Sequence, residues 1–201
     1  MRSTLLILTI LFAQFICGQE YKKIEGYLEH KYPFSNTISN TKSQYVSNSI
    51  KPLNDTILGK YLSGVNLYQV TFRTLVGWMG EEYNAILLSD YKSSEEKYHL
   101  IYPPELFSSD SAAISFFEKK HIEKQDIEKY CTAFVKLFIK ISFFLEPKLN
   151  KLQKTPNGNY TISYNIFQGS ERTLKKFVFV FDNLYLKEIK ILNPQSDNEI
   201  Y

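Results

Sequence analysis

The residues able to do chemistry are few and lie far apart. The chain of 201 residues has two cysteines, Cys17 and Cys131. A nucleophilic cysteine needs thiolate character, which a helix N-terminus or a neighbouring cation supplies. Cys131 instead falls inside a helical pattern, between Tyr130 and Thr132 and beside an apolar stripe. A cysteine so placed packs as a small hydrophobe. The three histidines, His30, His99 and His121, fall on different expected elements. No His-x-His or His-Glu-x-x-His spacing occurs, so no zinc site is expected. His121 and Glu118 would share a helical face, but a solvated charged turn explains them as well. Glu81–Glu82 and Glu95–Glu96 are adjacent pairs. Neighbours on a strand point to opposite faces, so neither pair converges for acid–base work. There is no Gly-x-Ser-x-Gly, no phosphate-cradling glycine loop and no dinucleotide fingerprint, and the eight glycines are scattered. No catalytic residue, metal ligand or cofactor is assigned.

The unusual feature is aromatic content. Without its first 18 residues the chain keeps 15 Tyr, 13 Phe and 1 Trp. Core packing accounts for most of the Phe. Trp78 is different, because it sits in "GWMG", between glycines, at an expected loop. A loop aromatic anchors a ligand or partner, or else caps one end of a sheet. Trp78 is the one binding residue nominated.

The elements that must position these residues come in four blocks. "EYKKIEGYLEH" puts Ile24, Tyr27 and Leu28 on one helical face. The polar stretch 35–49 has eleven uncharged polar residues in fifteen. Ser and Asn compete for backbone hydrogen bonds there, so it reads as a loop. "NDTILGKYLSG" reads as one or two helical turns, with Asn54 or Asp55 as N-cap and Gly64 as terminator.

The second block is β-like. "VNLYQVTFRTLV" (65–76), "EEYNAILLSD" and "KYHLIYP" are rich in β-branched and aromatic residues. The third block is helical. It opens with "SSDSAAISFFEKKH" and continues with a stripe of Ile127, Tyr130, Phe134, Leu137, Phe138, Ile141 and Leu145. In the last block, "YTISYNIF" alternates as a half-exposed strand. "TLKKFVFVF" and "LYLKEIKIL" then flank Asp182–Asn183, which reads as a two-residue hairpin link in a three-stranded meander. Runs of strands and runs of helices, without regular alternation, define an α+β fold. The expected architecture is an antiparallel sheet of about six strands. Two helices inserted mid-chain pack on one face, and short helices lie at the N-terminus. The other face carries Tyr, Thr, Ser and Lys positions. Cystatin-like and related cone-shaped folds have similar contents, although no motif fixes such an assignment.

The compartment is read from "MRSTLLILTILFAQFICGQE". Arg2 gives one positive charge, and Leu5 to Ala13 is an apolar run broken only by Thr9. That is much shorter than the ~20 residues a membrane-spanning helix needs. A charged start, a short apolar middle and a small residue describe a secretory signal peptide over residues 1–18. Gly18 is the better cleavage point and Ala13 the alternative. The "FAQ" end resembles exported proteins of the Bacteroidetes group of bacteria, over a few residues that name no family. Lipidation of Cys17 is not expected, since Ile16 and Gln14 occupy the positions where lipoproteins carry a small residue and Leu.

Residues 19–201 then form a single domain of ordinary size. They carry 23 basic and 21 acidic side chains, with no clustered basic face of the kind nucleic acid requires. Cys131 is left without an internal partner, so the core must supply stability. A periplasmic or secreted protein follows, with no transmembrane segment after signal removal. Two classes of function are open. One is a non-enzymatic binding module that uses a sheet face and Trp78, its partner a protein, a glycan or a small apolar ligand. The other is a small hydrolase-like exported enzyme without a recognisable motif. A pocket of converging polar groups with shifted pKa values would favour the enzyme. Intact-mass spectrometry of protein from its native host should find an N-terminus at or near Gln19. An intact Met1, or a diacylglycerol on Cys17, would overturn the secreted reading.

Overall fold

The structure is a computed structural model that describes residues 19–28, 44–76, 79–93, 97–102, 111–141, 149–168 and 171–192. Residues 1–18 with Cys17, His30, positions 35–43, Trp78 and Glu95–Glu96 lie outside the described residues. Residues 19–28 form helix α1. There follow β1 (Gln44–Pro52), α2 (Thr56–Tyr61), β2 (Val65–Val76), β3 (Met79–Asp90), β4 (Tyr98–Ile101) and α3 (Ser111–Ser115). The chain continues with β5 (Lys120–His121), a 3₁₀ turn (Lys124–Asp126), α4 (Ile127–Ile141), β6 (Gln153–Lys154), β7 (Tyr160–Gln168), β8 (Glu171–Asp182) and β9 (Tyr185–Leu192).

The strands make two sheets, ordered β1-β2-β3-β4 and β5-β9-β8-β7-β6. The fold is α+β with antiparallel sheets, as expected, but its strands are shared between sheets of four and five. Periodicity identifies strands one at a time and is silent on which strands pair, so the division into two sheets was not readable. Chain packing also defines two compact units, Met1–Ile50 with Thr71–Glu82, and Lys51–Val70 with Tyr83–Tyr201. In the first unit, α1 buries Ile24 and Leu28, one helical turn apart. Strand β1 occupies residues 44–49, which composition assigns to a loop. Pairing in a sheet gives the backbone of Ser and Asn the partners they would otherwise seek locally, and so overrides their weak strand propensity.

In the second unit α4 is the centre of the core. Its apolar stripe predicts the burial well: Ile127, Tyr130, Phe134, Leu137, Phe138 and Ile141 are all buried, and the last expected member, Leu145, lies outside the described residues. Lys136 and Lys140 face solvent. Opposite it, β8 alternates: Phe177, Phe179 and Phe181 are buried, while Lys176, Val178 and Val180 are half-buried. Phe134 meets Phe177 and Phe179 edge-on at 6.2 and 5.7 Å between centroids. It also meets Phe117 at 4.9 Å.

The meander β7-β8-β9 pairs Thr161 with Val178 and Ser163 with Lys176, and on the far side Phe179 with Ile189. Ile162 and Tyr164 of β7 go to the core, so on the outer face β7 presents Thr161 and Ser163 rather than tyrosines, whereas Tyr185 of β9 is exposed. The β8–β9 link is also one residue later than expected. Asp182 pairs with Tyr185, and the turn residues are Asn183 and Leu184. A bulge between Val180 and Phe181 takes up the extra residue, and Asn183 adopts φ 56°, a conformation that Asn tolerates.

β3 and β4 are buried more evenly. Ala85 to Ser89 and Tyr98 to Ile101 are all buried, which is why "AILL" and "YHLI" show no alternation. Helix α3 packs beside β4. The two-residue strand β5 pairs with the start of β9 (Lys120 with Leu186). Further along that edge, Glu118 Oε1 accepts the Ile189 N–H at 2.8 Å, so a side chain takes over where the short strand ends.

Cys131 is 0% exposed within α4. Cys131→Ala should lower stability by about 1 kcal/mol, the scale of a small buried apolar group. Cys131→Ser should lower it further, because a buried hydroxyl needs a partner. Thermal unfolding of both variants checks the order. Rapid thiol labelling of the native wild type would contradict the burial.

Candidate functional site

The residues nominated for chemistry do not converge. Burial pushes the Cys131 thiol well above its ordinary value, so it holds its proton and is a poor nucleophile. His99 is 6% exposed in β4, with its ring 4.9 Å from that of Phe116. His121 is exposed in β5, paired with Tyr185. Glu118 is in a turn, bound to the Ile189 N–H, and does not share a helical face with His121. Glu81 and Glu82 lie on β3. Among the described residues no group of three or more His, Cys, Asp or Glu side chains is arranged to hold a metal ion. Trp78 falls outside the described residues.

The strongest polar cluster joins α2 to the start of α4. Lys60 Nζ is 2.8 Å from Asp126 Oδ2 and 2.9 Å from Glu123 Oε1. Tyr61 donates to the same Asp126 oxygen at 2.9 Å and accepts the Glu123 N–H at 3.1 Å. Its ring lies edge-on to Tyr130, 5.4 Å away. Tyr130 in turn donates to the Phe117 carbonyl at 2.7 Å. The hydrogen bond from Lys60, then that from Tyr61, holds the Asp126 carboxyl below its ordinary range. The hydrogen bonds to Asp126 and then Glu123 raise the Lys60 ammonium above its usual value. A lysine so held cannot act as a base near neutral pH. The cluster is a clamp between two helical segments.

A different arrangement lies on the outer face of the second sheet. Residues 149–154 run antiparallel to β7 along its free edge. Leu149 bridges to Tyr164, Gln153 pairs with Thr161, and Lys154 pairs with Tyr160. Asn150 is fastened twice to Ser163, from its backbone N–H to the carbonyl at 2.9 Å and from its amide to the hydroxyl at 2.9 Å. This ridge and the outward side chains of β7 and β8 enclose a groove of about 350 Å³. Asn150, Gln153, Thr161 and Ser163 bring amides and hydroxyls to it, and Lys151 and Lys176 bring ammonium groups. Among the described residues no carboxylate lines it. Ser163 and Lys176 are cross-strand partners, so their side chains leave the same face of the sheet as neighbours.

Comparison with protein-family models, with curated proteins and with solved structures finds no match to this chain. The groove residues went unnominated in the sequence. Thr161, Ser163 and Asn165 were legible as the polar side of a half-exposed strand, although Thr161 is buried there and Ser163 and Asn165 are half-buried. The ridge was not, because two-residue β6 and the bridge at Leu149 leave no periodic trace.

The Asp126 clamp generates a pH prediction. A carboxyl whose folded-state pKa is depressed contributes stability that is present above its ordinary value of 3.8. That contribution is lost as pH falls through the folded value. Asp126→Asn should therefore lower the denaturant midpoint by a constant amount at pH 5 to 7. The gap from wild type should close as pH drops below 3.8. A gap that stays constant into acid would show that Asp126 acts by hydrogen bonding alone.

Proposed function

We propose that this chain is an exported, non-enzymatic binding module that holds a polar, anionic glycan along the outer groove of its second sheet. The groove carries the reading. Amides and hydroxyls both donate and accept, as sugar hydroxyls do. Lys151 and Lys176 supply positive charge, with no carboxylate among the described lining residues to neutralise it. Two of the described groups suited to bond-breaking lie outside the groove and are committed: burial holds the Cys131 thiol in its protonated form, and Lys60 is held by two carboxylates. Export rests on Arg2, the short apolar run and Gly18.

Affinity electrophoresis with polygalacturonate, and with uncharged dextran as control, tests this reading. The wild type should be retarded by the polyuronate alone, and less so as salt rises, because exposed charges are screened within about 10 Å at 0.1 M salt. The Lys151→Ala, Lys176→Ala double variant should bind roughly tenfold more weakly, the equivalent of about 1.4 kcal/mol for two partly exposed ion pairs. Its unfolding midpoint should stay within error. Equal retardation of both proteins would remove the groove from consideration. Shortening of the polymer during the experiment would move the protein to the class of exported enzymes.

A further inference from the structure

A second concavity lies beside α2, and the residue that borders it is the unexpected one. The cleft measures about 370 Å³. Its deep wall is apolar: Leu62 and Leu67 are buried, and Leu53 and Val65 half-buried. Its rim carries the exposed side chains of Asn54 and Asn66. Gly59, in the middle of the six-residue helix α2, forms part of the border.

Nothing in the local structure requires glycine there. Gly59 is not among the glycines with positive φ. A Cβ built on it would meet no atom within 4 Å. Gly64, a few residues on, shows what a constrained glycine looks like. It has φ 91°, and a Cβ there would collide with the Lys92 side chain. Glycine within a helix is unfavourable relative to alanine, because it gives up more backbone freedom and buries nothing. At position 59 what glycine does supply is room, since any larger side chain would stand at the cleft border.

We propose that Gly59 keeps this cleft open for an uncharged, ring-sized small molecule with an apolar body and a hydrogen-bonding edge. The apolar wall suits the body of the ligand, and the Asn54 and Asn66 amides suit the edge. Charge argues against an anion, for among the described residues no cationic side chain lines the cleft. The one ionisable carboxylate, Asp55, accepts the N–H groups of Ile57 and Leu58 at 3.0 Å and so is occupied in capping α2. The start of the helix is thus closed by its own chain and is not the ligand's partner. In size the cleft is about two and a half times the ~150 Å³ that holds one benzene ring, so a two-ring molecule is the appropriate probe. The site is independent of the sheet groove.

The test uses 2-naphthol as the neutral probe and 2-naphthoate as its anionic counterpart, with binding followed by the methyl resonances of Leu62 and Leu67. In the wild type, 2-naphthol should shift both residues saturably, and 2-naphthoate should bind at least tenfold more weakly. Gly59→Leu should weaken 2-naphthol at least tenfold while raising or preserving the thermal midpoint. Gly59→Ala, the gentler change, should keep the fold with a smaller loss of binding. No saturable shift in the wild type overturns the proposal. So does unchanged 2-naphthol affinity in Gly59→Leu, or equal affinity for the naphthoate.

Discussion

The Phe134 ring, set edge-on against Phe177 and Phe179, is the contact on which most of the second unit depends. All three side chains are 0% exposed. Burial of a phenylalanine is worth roughly 1.5–3 kcal/mol, and edge-to-face geometry adds to it. The pairing fixes more than energy. With Phe177 and Phe179 turned to α4, strand alternation sends Lys176 and Val178 to the opposite face. Register then aligns Ser163 beside Lys176 and Thr161 beside Val178. The chemistry of the outer groove is therefore a consequence of which β8 side chains the helix accepts.

Helix α2 illustrates how weak local preferences are made definite by tertiary contacts. Six residues with a central glycine cannot sustain a helix in water. The Asp55 cap satisfies two N–H groups at one end, and burial of Leu58 and Leu62 provides the apolar contribution. The ion pairs of Lys60 contribute little by themselves, because its side chain is 45% exposed and solvent screens it. Their effect is directional. Asp126, 11% exposed, takes both Lys60 and Tyr61 on one oxygen, which ties α2 to the turn that launches α4.

The parts legible in the sequence are those where one side chain pattern determines one outcome. The α4 stripe, the alternation of "YTISYNIF" and "FVFVF", and the cap at Asp55 all carry local signals strong enough to survive folding. What was illegible depends on pairing. Residues 44–49 have loop composition and become a strand because a sheet accepts them. The two-residue strands β5 and β6 are too short for periodicity and exist only as additions to β9 and β7. The hairpin link moved by one residue because a bulge at Val180 is a property of two strands together. The groove and the clamp follow the same rule, since Asn150–Ser163 and Lys60–Asp126 are side-chain partnerships that neighbouring residues do not announce. The sole residue nominated for binding from sequence, Trp78, lies outside the described residues.

The contrast between the two concavities shows what each can recognise. The sheet groove is backed by the phenylalanine core, and the paired hydrogen bonds between Asn150 and Ser163 set those two polar groups in place before any ligand arrives. Preorganisation of that kind reduces the ordering cost of binding and favours a long ligand that makes many modest contacts. The cleft at α2 has an aliphatic wall and an amide rim, and its border is a glycine that could carry a side chain without collision. Exclusion of water from apolar carbon drives binding there, and that suits a compact ligand buried on several sides. A polyanionic chain gains nothing from the cleft, and a small neutral ring gains little from exposed ammonium groups. If both proposals hold, the two ligands would not compete, because the physical term that dominates at one surface is nearly absent at the other.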